Sequence, residues 1–381
     1  MKALAVLDHR RSGVLLHPTA LIGEHAEQGA LGSVARAFID WMSAAGVSVW
    51  QVLPLGPVGP DLSPYWVRSD QAGNPALIDL REAPDPAQAR GDYEDFCGAE
   101  RAWLEDYVLY AALSKAHGVK PWWTWPEPLR DRRPEALGDA AARLAVELEQ
   151  LRIGQWRFDR QWAALRAYAR ERGVLLYGDL PIYVAPDSVA TWTERGQFQL
   201  AADGQPTARA GVPPDYFAAD GQLWGNPLYD WDQARRDGFA FWRARLAHLL
   251  RRFDLVRVDH FRGLAGYWSV PAAAPTAREG AWRPAPGTEL LSALRDAFGP
   301  LPLVAEDLGV ITPDVVALRR SFGLPGMRVL QFAFDGSADN PHLPRNYTPD
   351  TVAYTGTHDN DTAVGWYRSL DRAVARRVAA R

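Results

Sequence analysis

Leu255-Val256-Arg257-Val258-Asp259 is an apolar run that closes on an acid, and the same form recurs along the chain. Leu303-Val304-Ala305-Glu306-Asp307 repeats it, as do Val174-Leu175-Leu176-Tyr177-Gly178-Asp179 and Val352-Ala353-Tyr354-Thr355-Gly356-Thr357-His358-Asp359. Helical patterns stand between these runs. Phe158, Trp162, Leu165 and Tyr168 share a helical face that Gly173 ends, and Trp242, Leu246, Leu249, Leu250 and Phe253 form another. Leu291, Leu294 and Phe298 precede Gly299, while Thr312-Pro313-Asp314 opens a helix that Gly323 closes. Alternating helices and continuous apolar strands predict a parallel sheet covered on its faces.

Further strands are expected at Val47 to Leu53, Ala76 to Leu80 and Met327 to Phe332, giving about seven in all. No glycine-rich phosphate turn follows any strand, so the expectation is a (β/α)8 TIM-type barrel rather than a doubly wound sheet. Residues 1–81 begin the barrel, 82–155 form an inserted helical subdomain and 156–381 continue the barrel. The insertion holds helices near Arg101 to His117 and Gly138 to Arg152, around the tryptophan-rich Pro121 to Pro126. After the strand leading to Asp359 only one helix follows, so the barrel is expected to be cut short before its eighth strand.

Composition narrows the function. The chain has 381 residues, 47% hydrophobic and 23% charged, with 42 basic against 46 acidic side chains and a formal charge of −4. That balance argues against a nucleic-acid partner. No apolar run is long enough to span a membrane, and the first residues lack a signal-peptide core, so a cytoplasmic protein is expected. The lone Cys97 excludes an intrachain disulfide. Tryptophan (16) outnumbers tyrosine (13) and phenylalanine (13), and an indole offers a broad face for stacking on sugar rings. Most are still expected in the core, and Trp122, Trp123 and Trp125 are expected to pack the insertion rather than form a secondary sugar platform. The eight histidines show no metal-binding spacing, and Asp335, Asp339 and Asn340 read as a polar turn, so neither metal nor cofactor is expected.

Carboxylates gathered at the carboxyl ends of parallel strands suit glycosidic-bond chemistry. Retaining cleavage needs two carboxyl groups about 5 Å apart, one attacking the anomeric carbon and one exchanging a proton. Alternation along a strand puts Arg257 and Asp259 on one face, where the guanidinium would keep Asp259 ionised. Glu306 would need a raised pKa to act as an acid.

Several longer blocks resemble the 4-α-glucanotransferases (amylomaltases, or disproportionating enzymes). They are Arg257-Val258-Asp259-His260-Phe261-Arg262-Gly263, Ala305-Glu306-Asp307-Leu308-Gly309 and Thr357-His358-Asp359-Asn360-Asp361-Thr362. Ser12 to Thr19, Trp50 to Pro57, Gly178 to Val184 and Gly221 to Pro227 extend the match. The resemblance implies Asp259 as nucleophile, Glu306 as general acid/base and Asp359 as transition-state stabiliser. It implies that Arg257, His358, Asp179 and Tyr65 surround the reacting sugar, and that Gln222 and Trp224 belong to a lid loop at 210–227. The implied partners are an α-1,4-glucan donor and a sugar acceptor, with no cofactor; oligomeric state is not implied. Two departures fall on the donor side. The usual Gly-Tyr-Gly-Asp-Ser-Pro-Tyr stands here as Gly59-Pro60-Asp61-Leu62-Ser63-Pro64-Tyr65, and Glu24 to Gln28 replace a glycine-rich run. An α-amylase-like hydrolase and an inactive glucan-binding remnant remain alternatives at this point.

Overall fold

The computed structural model describes residues 9–21, 30–214 and 218–379. The departure at 24–28 and the lid residues 215–217 lie outside the described residues. Eleven strands are described: β1 (Gly13–Leu15), β2 (Val49–Gln51), β3 (Leu175–Leu180), β4 (Ala208–Val212), β5 (Gln222–Pro227), β6 (Leu255–Val258), β7 (Gly266–Pro271), β8 (Ala281–Pro284), β9 (Leu303–Ala305), β10 (Gly326–Val329) and β11 (Thr351–Tyr354). Strands β1, β2, β3, β6 and β9 form a parallel sheet in that order, and β10 pairs in parallel with β11. The Ala305 N–H donates to the Pro325 carbonyl at 2.8 Å, carrying the sheet from β9 to β10. The remaining strands make an antiparallel sheet in the order β5-β4-β7-β8. The molecule is α/β, built on parallel strands.

Register sorts the side chains into two faces. Tyr177 lies opposite Leu255, Arg257 opposite Val304, and Met327 opposite Val352. Tyr177, Leu255, Val304 and Met327 accordingly pack together with Val49, Val352 and Tyr354. The other face, with Trp50, Leu176, Val256, Val258 and Leu303, meets the helices through Trp162, Leu246, Leu290, Leu294 and Leu318. Tyr354 of β11 also donates through its hydroxyl to Gln51 Oε1 of β2 at 2.7 Å, between strands that are not neighbours in the sheet.

Three strand expectations need correction, and one strand was not foreseen. Ala76 to Leu80 is no strand: Pro75–Leu77 is a 3-10 turn, with the Asn74 side chain accepting the Ala76 N–H at 3.0 Å. Pro75 has no N–H for a ladder. The series begins instead with β1, where a Cβ at Gly13 would sit 2.8 Å from the Val49 carbonyl oxygen, so glycine allows the close pairing. β10 ends at Val329 and turns into a 3-10 segment, Leu330–Phe332. β11 ends at Tyr354, so Asp359 lies in a following turn rather than at a strand end. In that turn Asn360 Oδ1 accepts from the Thr357 N–H and hydroxyl at 2.9 and 3.0 Å.

Residues 90–143 supply helices Arg90–Ala99, Arg101–Ala116, Glu127–Arg130 and Pro134–Arg143. They enclose a second core of Phe96, Leu104, Tyr107, Tyr110, Trp122, Trp125 and Trp192. Trp122 and Trp125 are buried packing residues. The next helix, Ala145–Glu171, runs unbroken through position 155 and gives Trp156 to this core but Phe158, Trp162 and Leu165 to the sheet's core.

Candidate active site

Arg257 organises the floor of the site. Its Cα partner across the β3–β6 ladder is Asp179, and Arg257 Nη1 donates to Asp179 Oδ2 at 2.6 Å and to the Tyr65 hydroxyl at 3.0 Å. Arg257 Nη2 lies 2.8 Å from Asp259 Oδ1. The side chains of Arg257 and Asp179 are only 4% and 0% exposed, so the charge pair is strong and costly to break. Tyr65 donates its proton to Asp179 at 2.6 Å, and burial followed by the Asp179 charge raises its pKa, which keeps it a phenol.

That donation fixes a tautomer. The Tyr65 oxygen, 2.9 Å from His358 Nε2, has only acceptor capacity left, so the His358 proton is assigned to Nε2. The two rings stack at 5.4 Å with 16° between their planes. Burial lowers the His358 pKa, against the pull of Asp359, whose Oδ1 is 3.4 Å from Nε2. Asp359 itself is 72% exposed and faces solvent, whereas Arg257 and Asp179 are buried and Asp259 and Glu306 are partly buried.

Asp259 and Glu306 are the residues next after β6 and β9, whose last residues, Val258 and Ala305, are paired. The ladder continues past them, with Glu306 N–H donating to the Val258 carbonyl at 3.0 Å and Phe261 N–H to the Glu306 carbonyl at 3.1 Å. Adjacent parallel strands lie about 4.8 Å apart, so the two acids stand on neighbouring backbones and emerge on one face. Burial raises the pKa of both carboxyls; Arg257 opposes this at each, and their mutual repulsion pushes Glu306 further up.

His260 is the residue that sequence reasoning missed. It stands at φ 47°, in the left-handed region, and its N–H donates to Glu306 Oε2 at 2.5 Å. A side chain other than glycine rarely adopts this conformation, so the residue type gave no sign of it. Leu308 N–H reaches the other Glu306 oxygen at 3.3 Å. Burial brings the His260 ring to about 4, so it is neutral, and Trp224 meets it edge-on at 4.7 Å. Gln222 Oε1 accepts the Trp224 indole N–H at 3.0 Å. Both stand on β5, which pairs antiparallel with β4, so residues 210–212 and 222–227 of the expected lid loop are strand.

Asp307 was also missed as a positioning group. Alternation turns it away from the site, where it accepts the Met327 N–H at 2.7 Å and faces Arg328 and Arg319 at 3.2 and 3.4 Å. Elsewhere, Asp335 and Asn340 serve their own turn, accepting the Ser337 and His342 N–H groups at 2.9 and 2.7 Å. Among the described residues no three His, Cys, Asp or Glu side chains form a metal-holding group, and no helix is long and apolar enough to cross a membrane.

Comparison with known proteins agrees with this geometry. The profile of a family described as 4-alpha-glucanotransferase matches residues 16–89 and 81–381. A 4-alpha-glucanotransferase of Thermus thermophilus is 49% identical over 94% of this chain and 80% of its own length. One from Synechocystis is 44% identical over 95% of this chain and 81% of its own length. An amylomaltase from Streptococcus agalactiae, solved in complex with acarbose, superposes with a TM-score of 0.91 at 34% identity, covering 98% of this chain and 85% of that one. By its sequence, fold and gathered acids, the chain belongs to the 4-alpha-glucanotransferase family.

Proposed function

We propose that this 4-alpha-glucanotransferase moves α-1,4-glucan segments between sugar acceptors by a retaining double displacement at Asp259 and Glu306. The observation that carries the reading is the placement of these two acids after paired strands, over a buried Arg257. In the first half, Glu306 gives its proton to the glycosidic oxygen as the bond to the anomeric carbon breaks. The Asp259 oxygen not held by Arg257 bonds to that carbon. In the second half, an acceptor hydroxyl gives its proton to the Glu306 carboxylate and its oxygen displaces Asp259. Arg257 keeps Asp259 ionised for the first half and stabilises the carboxylate that leaves in the second.

Asp179 and Tyr65 fix Arg257, while His358 and Asp359 approach the reacting sugar from the solvent side. Trp224 and Gln222 face it from β5, and His260 aims its N–H at the proton carrier. No step calls for a metal or redox group. We further infer that the seven parallel strands belong to a (β/α)8-type barrel. The helix-covered outer face, the packed inner face and the Tyr354–Gln51 bond support this. The unpaired Cys97 accords with a cytoplasmic location.

Incubation with maltotriose tests the reaction. Transfer yields glucose together with a ladder of longer chains, and Asp259→Asn lowers the rate by about 10³-fold or more. Products that are only shorter would identify a hydrolase instead. An Asp259→Asn variant as active as the parent would overturn the nucleophile assignment.

A further inference from the structure

Trp282 is 40% exposed on β8, a strand whose residues all face solvent. Its surroundings hold it still. It pairs across the ladder with Trp268, the rings 5.3 Å apart at 67°. The Trp268 indole is itself fixed by a 2.8 Å bond to the Ala277 carbonyl. The Arg262 guanidinium stacks 3.9 Å from the Trp282 ring centroid. Arg262 in turn donates to the Val310 carbonyl.

These contacts tie Trp282 to both reacting acids. Arg262 stands in the 3-10 turn Phe261–Leu264, directly after Asp259 and His260, in which Phe261, Gly263 and Leu264 are buried and Arg262 is the outward residue. Val310 follows Glu306 by four positions and is 70% exposed. The two outer strands of the antiparallel sheet each lay an indole against the same turn region: Trp224 of β5 against His260, and Trp282 of β8 against Arg262. A rigid, half-exposed indole beside a sugar site is suited to stacking on the apolar face of a glucose ring.

We propose that Trp282 is a stacking platform for the outer part of a long glucan chain, beyond the units held at Asp259 and Glu306. It rests on the transferase reading above. A short oligosaccharide would not reach it, so the platform sets length preference rather than chemistry. Arg262 is its positioning residue, holding the ring through a cation–π contact.

The test compares Trp282→Ala and Trp282→Phe on maltotriose and on maltoheptaose. With Trp282→Ala, the KM for maltoheptaose is expected to rise about tenfold, while kcat on maltotriose stays within about twofold of the parent. Trp282→Phe, which keeps an aromatic face, should recover most of the maltoheptaose KM. An equal loss on both substrates, or an unchanged KM for maltoheptaose, would overturn the proposal. Failure of the parent protein to transfer from maltotriose would instead overturn the transferase reading, so the two failures are distinguishable.

Discussion

In the proposed double displacement Asp259 and Glu306 hold one proton between them, and their surroundings decide where it sits. Arg257 is ion-paired with Asp259 at 2.8 Å, whereas burial and the Asp259 charge push Glu306 up against only two neutral N–H donors, which assigns the proton to Glu306. On that assignment activity should fall at low pH as Asp259 takes up a proton and at high pH as Glu306 loses its own. Because burial raises both carboxyls, kcat/KM should trace a bell with both limbs above the ordinary carboxylate range. A pH profile with its acidic limb near about pH 4 would contradict this assignment. The same shift bears on stability. A carboxyl whose folded-state pKa is raised favours folding while it is protonated, and that contribution is lost as pH rises from the unfolded value through the folded one. Glu306→Gln removes the loss. It should therefore melt higher than the parent at about pH 8 and show little gain at about pH 4, as paired thermal melts would show.

At the level of elements, the seam between β9 and β10 depends on a side chain. Few backbone bonds join the two strands, and the Asp307 carboxylate takes the Met327 N–H while facing buried Arg319. A Cβ at Gly326 would lie 2.5 Å from that carboxylate, so only glycine leaves it room. Asp307→Ala should cost about 3–5 kcal/mol in denaturant unfolding, because it strips a buried guanidinium of one of its carboxylates. A change under about 1 kcal/mol would show the seam is held otherwise. Most of these elements were legible in the chain. Runs such as Leu255 to Asp259 and Leu303 to Glu306 are continuous and apolar, and Gly173 and Gly323 end their helices at φ 72° and 66°. Asp259 and Glu306 were legible because they close such runs, whereas Asp359 lies in a turn beyond its strand. A three-residue strand such as β1 is too short to carry a pattern, and Ala76 to Leu80 carries an apolar pattern that Pro75 and Asn74 override. His260 and Asp307 act through a backbone turn and a cross-strand contact, neither of which residue type announces.

Across the whole molecule, the helical region and the sheet share structure. The 27-residue helix Ala145–Glu171 is about 40 Å long and serves both cores. Asp187 adds a polar tie, receiving bonds from Arg68 near Tyr65 and from Tyr110 and the Trp122 N–H in the helical region. Calorimetry should therefore give a single unfolding transition; two resolved transitions would mean the cores melt independently. The Tyr354–Gln51 bond has a further consequence, for the order of events in the cell. Its partners are 303 positions apart, so at about 5–20 residues per second Gln51 waits roughly 15–60 s on the ribosome for Tyr354 to be made. Tyr65 and His358 are separated almost as widely, by 293 positions. The nascent chain can assemble its helical region early, but its reaction centre comes together only as the last strands emerge. Until then the inner faces of β2 and β3 are open to wrong partners, which makes translation speed and chaperone access determinants of how much active enzyme a cell obtains.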